Sequence, residues 1–138
     1  MLEKHDQSNA KILIDRLECN VVLPESWRDD YFSRQGVMPT DLNERRRFVL
    51  HAVRTKAVMN IAQTLPAFER TPEFYAVYTY DVSRTGIALL HVNELLPGER
   101  CQLWMPTQTV NLIVMRCRFY NPRCYLIGTR FENEPEEA

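Results

Sequence analysis

The sequence predicts a mainly β domain: a six-stranded antiparallel barrel preceded by a short helical extension. From Asn43 onward the chain breaks into short runs rich in Val, Ile, Thr and aromatic residues, the types that fit a pleated, half-buried surface. Turn-forming residues recur between these runs, at 82–85, at Pro97-Gly98-Glu99 and at Asn121-Pro122. Six strands at such spacing are expected to close on themselves, because closure removes the edges an open sheet would expose. With 138 residues, 45% of them apolar and 25% charged, the chain has the size and composition of one ordinary globular domain.

Residues 1–42 are polar and turn-bearing and are expected to form an N-terminal extension. Within it, Ile12, Leu13, Ile14 and Leu17 make a short apolar cluster that suits either a helical face or a strand, and periodicity does not choose between them. A helix is predicted near 26–35. Ser26 is a candidate N-cap, Asp29 and Asp30 fall in or near the first turn, Trp27, Tyr31 and Phe32 share a face, and Gly36 can end it. Pro39 and Asp41 mark a linker. The barrel is predicted over 43–131, with strand-like runs at 49–61 (interrupted), 74–80, 86–92, 101–105, 110–119 and 124–131. The acidic tail 132–138 contains Pro135 and is expected to fray.

Seventeen basic residues face eighteen acidic ones, a net charge of -1. That balance gives no overall positive field for holding a nucleic-acid backbone or an anionic membrane, so any anion site must be local. The first ten residues lack the apolar centre of a secretory signal, and no run approaches the roughly 18 apolar residues of a membrane span. A cytoplasmic location without membrane insertion is the expectation. Cys19, Cys101, Cys117 and Cys124 form no CxxC pair, and reduced thiols packed as small hydrophobes are expected ahead of a disulfide or metal cluster. His5, His51 and His91 are too scattered to suggest a ligand set, and no metal or cofactor is expected.

Two segments carry the chemistry. Asn43-Glu44-Arg45-Arg46-Arg47-Phe48 places three guanidiniums just before the first strand of the β region. Their forks match phosphate oxygens and the O6 and N7 acceptors of guanine. The plainer alternative is a solvated basic loop paired with surface carboxylates. The second segment, Asp81-Val82-Ser83-Arg84-Thr85-Gly86, reads DxSxxG between two strand-like runs. Asp and Ser can bond nearby backbone N–H groups and Gly can adopt positive φ, which makes a self-capping turn. An ionised Asp81 also offers two acceptors that complement the N1–H and N2–H donors of a guanine edge. Catalysis is not expected. The chain has no GxSxG, HExxH or GxxxxGK[ST] signature, and Asp81, Ser83 and His91 have triad residue types without a defensible triad spacing.

In combination, ERRRF at 44–48, a strand, DxSxxG at 81–86 and the closing Ile127-Gly128-Thr129-Arg130-Phe131 resemble the PilZ domain family over roughly residues 43–131. The resemblance implies a six-stranded barrel and, as in many members, binding of the bacterial second messenger cyclic di-GMP. In such members an N-terminal RxxxR segment wraps over ligand seated against a D/NxSxxG turn. Asp81, Ser83 and Gly86 match that turn. The arginine motif departs, since four residues beyond Arg45, Arg46 and Arg47 stand Val49, Leu50 and His51. The ligand-binding set implied is Arg45, Arg46, Arg47, Asp81, Ser83 and Gly86. The function implied is a cyclic di-GMP receptor whose N-terminal extension reports to a protein partner. The alternative is an adaptor of the same fold that binds no cyclic di-GMP, for which Leu50 is the main support. Nucleic acid is not an expected partner, because Trp104, Tyr120 and Tyr125 are better explained as barrel side chains.

Overall fold

The runs of β-branched and aromatic residues pair as eight antiparallel strands in a computed structural model that describes residues 7–33, 35–37, 51–67, 70 and 73–132. They are β1 Gly36–Val37, β2 His51–Ala52, β3 Lys56–Gln63, β4 Phe74–Val82, β5 Ile87–His91, β6 Arg100–Trp104, β7 Thr109–Asn121 and β8 Cys124–Phe131. Six of these form a ring in the order β4-β3-β6-β7-β8-β5, which the pairing of β5 back onto β4 closes. The expected six-stranded antiparallel barrel is therefore the architecture, with one short α-helix ahead of it. Ala57, Met59, Val77, Leu89, Leu103, Leu112, Val114 and Ile127 point inward and fill the core.

The interrupted run at 49–61 is two strands on one edge of β4. β3 pairs with residues 74–78 and β2 with Asp81 and Val82. Between them the Val53 N–H donates to Tyr80 O (3.2 Å) and the Thr55 N–H to Thr79 Oγ1 (2.9 Å), so side-chain and loop bonds carry the edge across the break. β1 then pairs with β2 through Val37 and His51.

The undecided cluster near residue 12 is helical. In α1, Gln7–Arg16, Ala10 and Leu13 share a face and pack on Phe74 and Trp104. The helix predicted near 26–35 is not there. Two single 3-10 turns, Glu25–Trp27 and Tyr31–Ser33, take its place. A helix of about ten residues is marginal by itself, and contacts with the barrel override it. Trp27 lies against Tyr80 (ring centroids 5.5 Å) and Tyr120 (5.0 Å), while Tyr31 is buried with its hydroxyl donating to Thr79 O. Residues 17–33 thus form a strap across the outer wall. Backbone bonds pin it further: the Val22 N–H donates to Arg123 O at 3.0 Å, and the Asn121 side chain donates to Val22 O at 3.0 Å. No helix among the described residues is long and apolar enough to cross a membrane.

Two of the four buried polar or charged residues among the described residues, Glu99 and His91, lie inside the frame away from the strap. Glu99 is fully buried and is held by Arg70 through both carboxylate oxygens, at 2.5 and 2.9 Å. It also accepts the Leu96 N–H at 2.7 Å, inside the turn where Gly98 takes φ +98. His91 is fully buried beside the Tyr75 ring, and its Nδ1 accepts the Asn93 N–H at 2.9 Å. Burial first, and the Arg70 charge second, hold its pKa down to about 3.

That depression makes the fold acid-sensitive. An unfolded histidine titrates near 6.5, so between about pH 6.5 and 3 the unfolded chain binds a proton that the folded chain refuses. The contribution is complete above about pH 6.5 and falls as pH drops, by up to about 1.4 kcal/mol per pH unit. Urea titrations at pH 7 and pH 4.5 should show the native protein losing about 2–3 kcal/mol more than His91→Phe; equal losses would contradict this assignment.

Candidate ligand-binding site

In β4, Val77 sits in the core and Thr79, opposite the core residue Leu89, is fully buried. Strict alternation would turn Asp81 inward as well. A register shift intervenes, because Thr79 pairs with Leu89 but Asp81 pairs with Ala88. The extra residue is Tyr80, which faces outward in any case, and the bulge turns Asp81 to the outer wall beside it. β7 repeats the device. Leu112 and Val114 are in the core, Val114 pairs with Thr129, and Arg116 pairs with Gly128, leaving Met115 as the extra residue.

Between the two bulges lies a cleft of about 720 Å³, within the range of small-molecule sites. One side is formed by Tyr80 and Asp81 and the other by Met115 and Arg116. Ala88, Leu126 and Gly128 line the wall between them, while Ser83, Thr85, Gly86, Thr129 and Arg130 complete the lining. Arg116 and Arg130 are exposed and make no hydrogen bond or ion pair among the described residues. The cleft therefore combines a carboxylate, an aromatic ring and two available guanidiniums. Neither histidine nor cysteine lines it among the described residues.

The DxSxxG turn forms the cleft rim and is tied down from within. The Ser83 N–H donates to Gly86 O (2.9 Å), the Thr85 N–H to Ser83 Oγ (3.2 Å), and the Phe131 N–H to Thr85 O (2.8 Å). Ser83 thus caps its own turn. Gly86 is required for a reason other than positive φ, which among the described glycines occurs only at Gly36 and Gly98. A Cβ on Gly86 would stand 1.9 Å from Thr129 O, inside the backbone of β8. The missing side chain lets the turn close onto β8.

Of the six residues expected to bind ligand, Asp81, Ser83 and Gly86 all line this cleft. Arg45, Arg46 and Arg47 lie outside the described residues. Among the described residues β1 ends at Val37 and β2 begins at His51, and His51 pairs with Val82, next to Asp81. Sequence reasoning missed Tyr80, Met115 and Arg116: the first two face outward by simple alternation, but Arg116 depends on a bulge that no local signal announces. Arg130 had a signal, its place in the closing strand two residues beyond Gly128. Among the described residues no group of three or more His, Cys, Asp or Glu side chains could hold a metal ion. All four cysteines are free thiols, and burial raises the Cys101 thiol to about 12.

No protein-family model matches this chain, and a search of curated proteins finds no match.

The contact at Gly86 generates a direct expectation. Gly86→Ala forces β8 or the turn to move, at a cost of at least about 2 kcal/mol by the usual penalty for overpacking. Chemical denaturation should register that loss; a variant as stable as the native protein would show that the close approach is not needed.

Proposed function

We propose that this chain is a PilZ-type receptor that binds cyclic di-GMP in the cleft and reports its occupancy to a protein partner through the N-terminal strap. The observation that supports this best is the DxSxxG turn on the rim of an open cleft, with Asp81 on one side and unengaged guanidiniums on the other. Asp81 presents acceptors to a guanine edge, Tyr80 offers a ring face, and arginines meet phosphate. Arg45, Arg46 and Arg47 stand four to six residues before His51 in the chain, and His51 pairs next to Asp81. Chain length alone therefore permits them to reach the cleft. Ser83 and Gly86 act by shaping the rim. The reading is one of binding rather than catalysis, since Ser83 caps its turn and His91 is buried on the core side of β5, away from the cleft lining.

Coupling to the strap runs through Tyr80, which lines the cleft and also stacks on Trp27. A ligand that moves Tyr80 alters what Trp27 packs against, so the strap has differential contacts in the two states.

Calorimetric titration of cyclic di-GMP, with GMP as control, tests the reading. Loss of one charge-assisted contact is worth about 1.5–3 kcal/mol, so Asp81→Ala and Arg46→Ala are each expected to weaken binding at least tenfold. Saturable micromolar binding lost in both variants supports the receptor. A flat trace at high micromolar ligand leaves the adaptor that binds only a protein partner.

A further inference from the structure

We infer that Arg116, turned outward by the bulge in β7, is the guanidinium that meets the ligand's phosphate from the barrel wall, where the RxxxR spacing ends on Leu50 instead of arginine. This rests on the cyclic di-GMP reading above.

The geometry is a single row across the sheet. Asp81 pairs with Ala88, Ala88 with Gly128 and Gly128 with Arg116. Three strand spacings separate Asp81 and Arg116 by about 14 Å along the curved wall, and the direct distance is shorter because the ring is closed. Between the two opposite charges stand Ala88, which adds one methyl group, and Gly128, whose missing side chain leaves room for Arg116 itself to lie over the wall, so a flat ring beside Asp81 meets the guanidinium at its far end. A guanosine phosphate has the matching polarity, with hydrogen-bond donors on the Watson–Crick edge of its base and an anion at its far end.

The conformation of Arg116 adds a second observation. A Cβ on Gly128 would stand 3.1 Å from Arg116 Cγ, 3.3 Å from Nε and 3.6 Å from Cζ. The arginine therefore lies back over β8, toward Ala88 and Asp81, and its guanidinium lines the cleft. It does so without a hydrogen bond or ion pair among the described residues, which leaves its fork available to two phosphate oxygens. Other cations of the wall are differently engaged: Arg118 lies over the Tyr120 ring at 5.2 Å, and Arg54 is buried between Tyr31 and Tyr80.

Calorimetric titration of cyclic di-GMP into the native protein, Arg116→Gln, Arg116→Lys and Asp81→Ala tests the assignment, with thermal unfolding of each variant as the folding control. The expected result is at least tenfold weaker binding by Arg116→Gln, partial retention by Arg116→Lys, a shallower salt dependence in the Gln variant, and unchanged melting because the side chain is exposed. If the native protein binds and Asp81→Ala fails while Arg116→Gln stays within twofold of native, the inference is overturned and the receptor reading stands. If the native protein does not bind at high micromolar ligand, both fall together.

Discussion

Side chains of a barrel strand alternate between core and solvent, and what the outer wall offers here depends on where that alternation is interrupted. Continued without interruption, β4 and β7 would aim Asp81 and Arg116 into the apolar interior. Burying an unpaired charge costs several kcal/mol, whereas losing one ladder hydrogen bond costs about 1 kcal/mol. The two bulges are therefore the lower-energy solution. They also restore the pattern immediately afterward, since Val82 and Cys117 both pack against the core. Two consecutive outward side chains at each bulge convert a smooth wall into a cleft with a charge on either side.

The strap is built around one cation. Arg54 is buried, with its guanidinium carbon 4.8 Å from the Tyr31 ring centre and 4.3 Å from that of Tyr80. Its backbone N–H and carbonyl are both bonded by the Gln35 side chain. Tyr31 comes from the strap and Tyr80 from the bulge, so a single buried guanidinium joins the two through cation–π contacts. The same Tyr80 lines the cleft. Any device that senses the cleft by way of the strap has a short physical path, one ring wide.

Among the arginines, engagement separates structural from available charge. Arg70 is committed to buried Glu99 through a bidentate pair, and Arg54 to two aromatic rings. Arg116 and Arg130 remain exposed at the cleft. With a net charge of -1 the molecule carries no overall positive field, so positive potential at this face comes from such local pairs.

The turn at 81–86, the strand-rich region after Asn43 and the expectation of closure were legible in the sequence, because β propensity, turn residues and the need to remove edges are properties of local segments and their number. The strand at 124–131 was legible to the residue, framed by a turn and the end of its apolar pattern. The strap was not: local signals favoured a helix at 26–35, and the anchoring of Trp27 and Tyr31 on rings more than forty residues away replaced it with two tight turns. Nor did the sequence explain Gly86, whose requirement comes from the carbonyl of Thr129 on another strand. The sequence alone determined that six strands would close a barrel and where its polar DxSxxG turn falls, although not the short strand Gly36–Val37 nor the split of the 49–61 run; only the tertiary structure decided which way Asp81 and Arg116 face. The reason is that a bulge is chosen by the register between two strands, and register is a property of the pair.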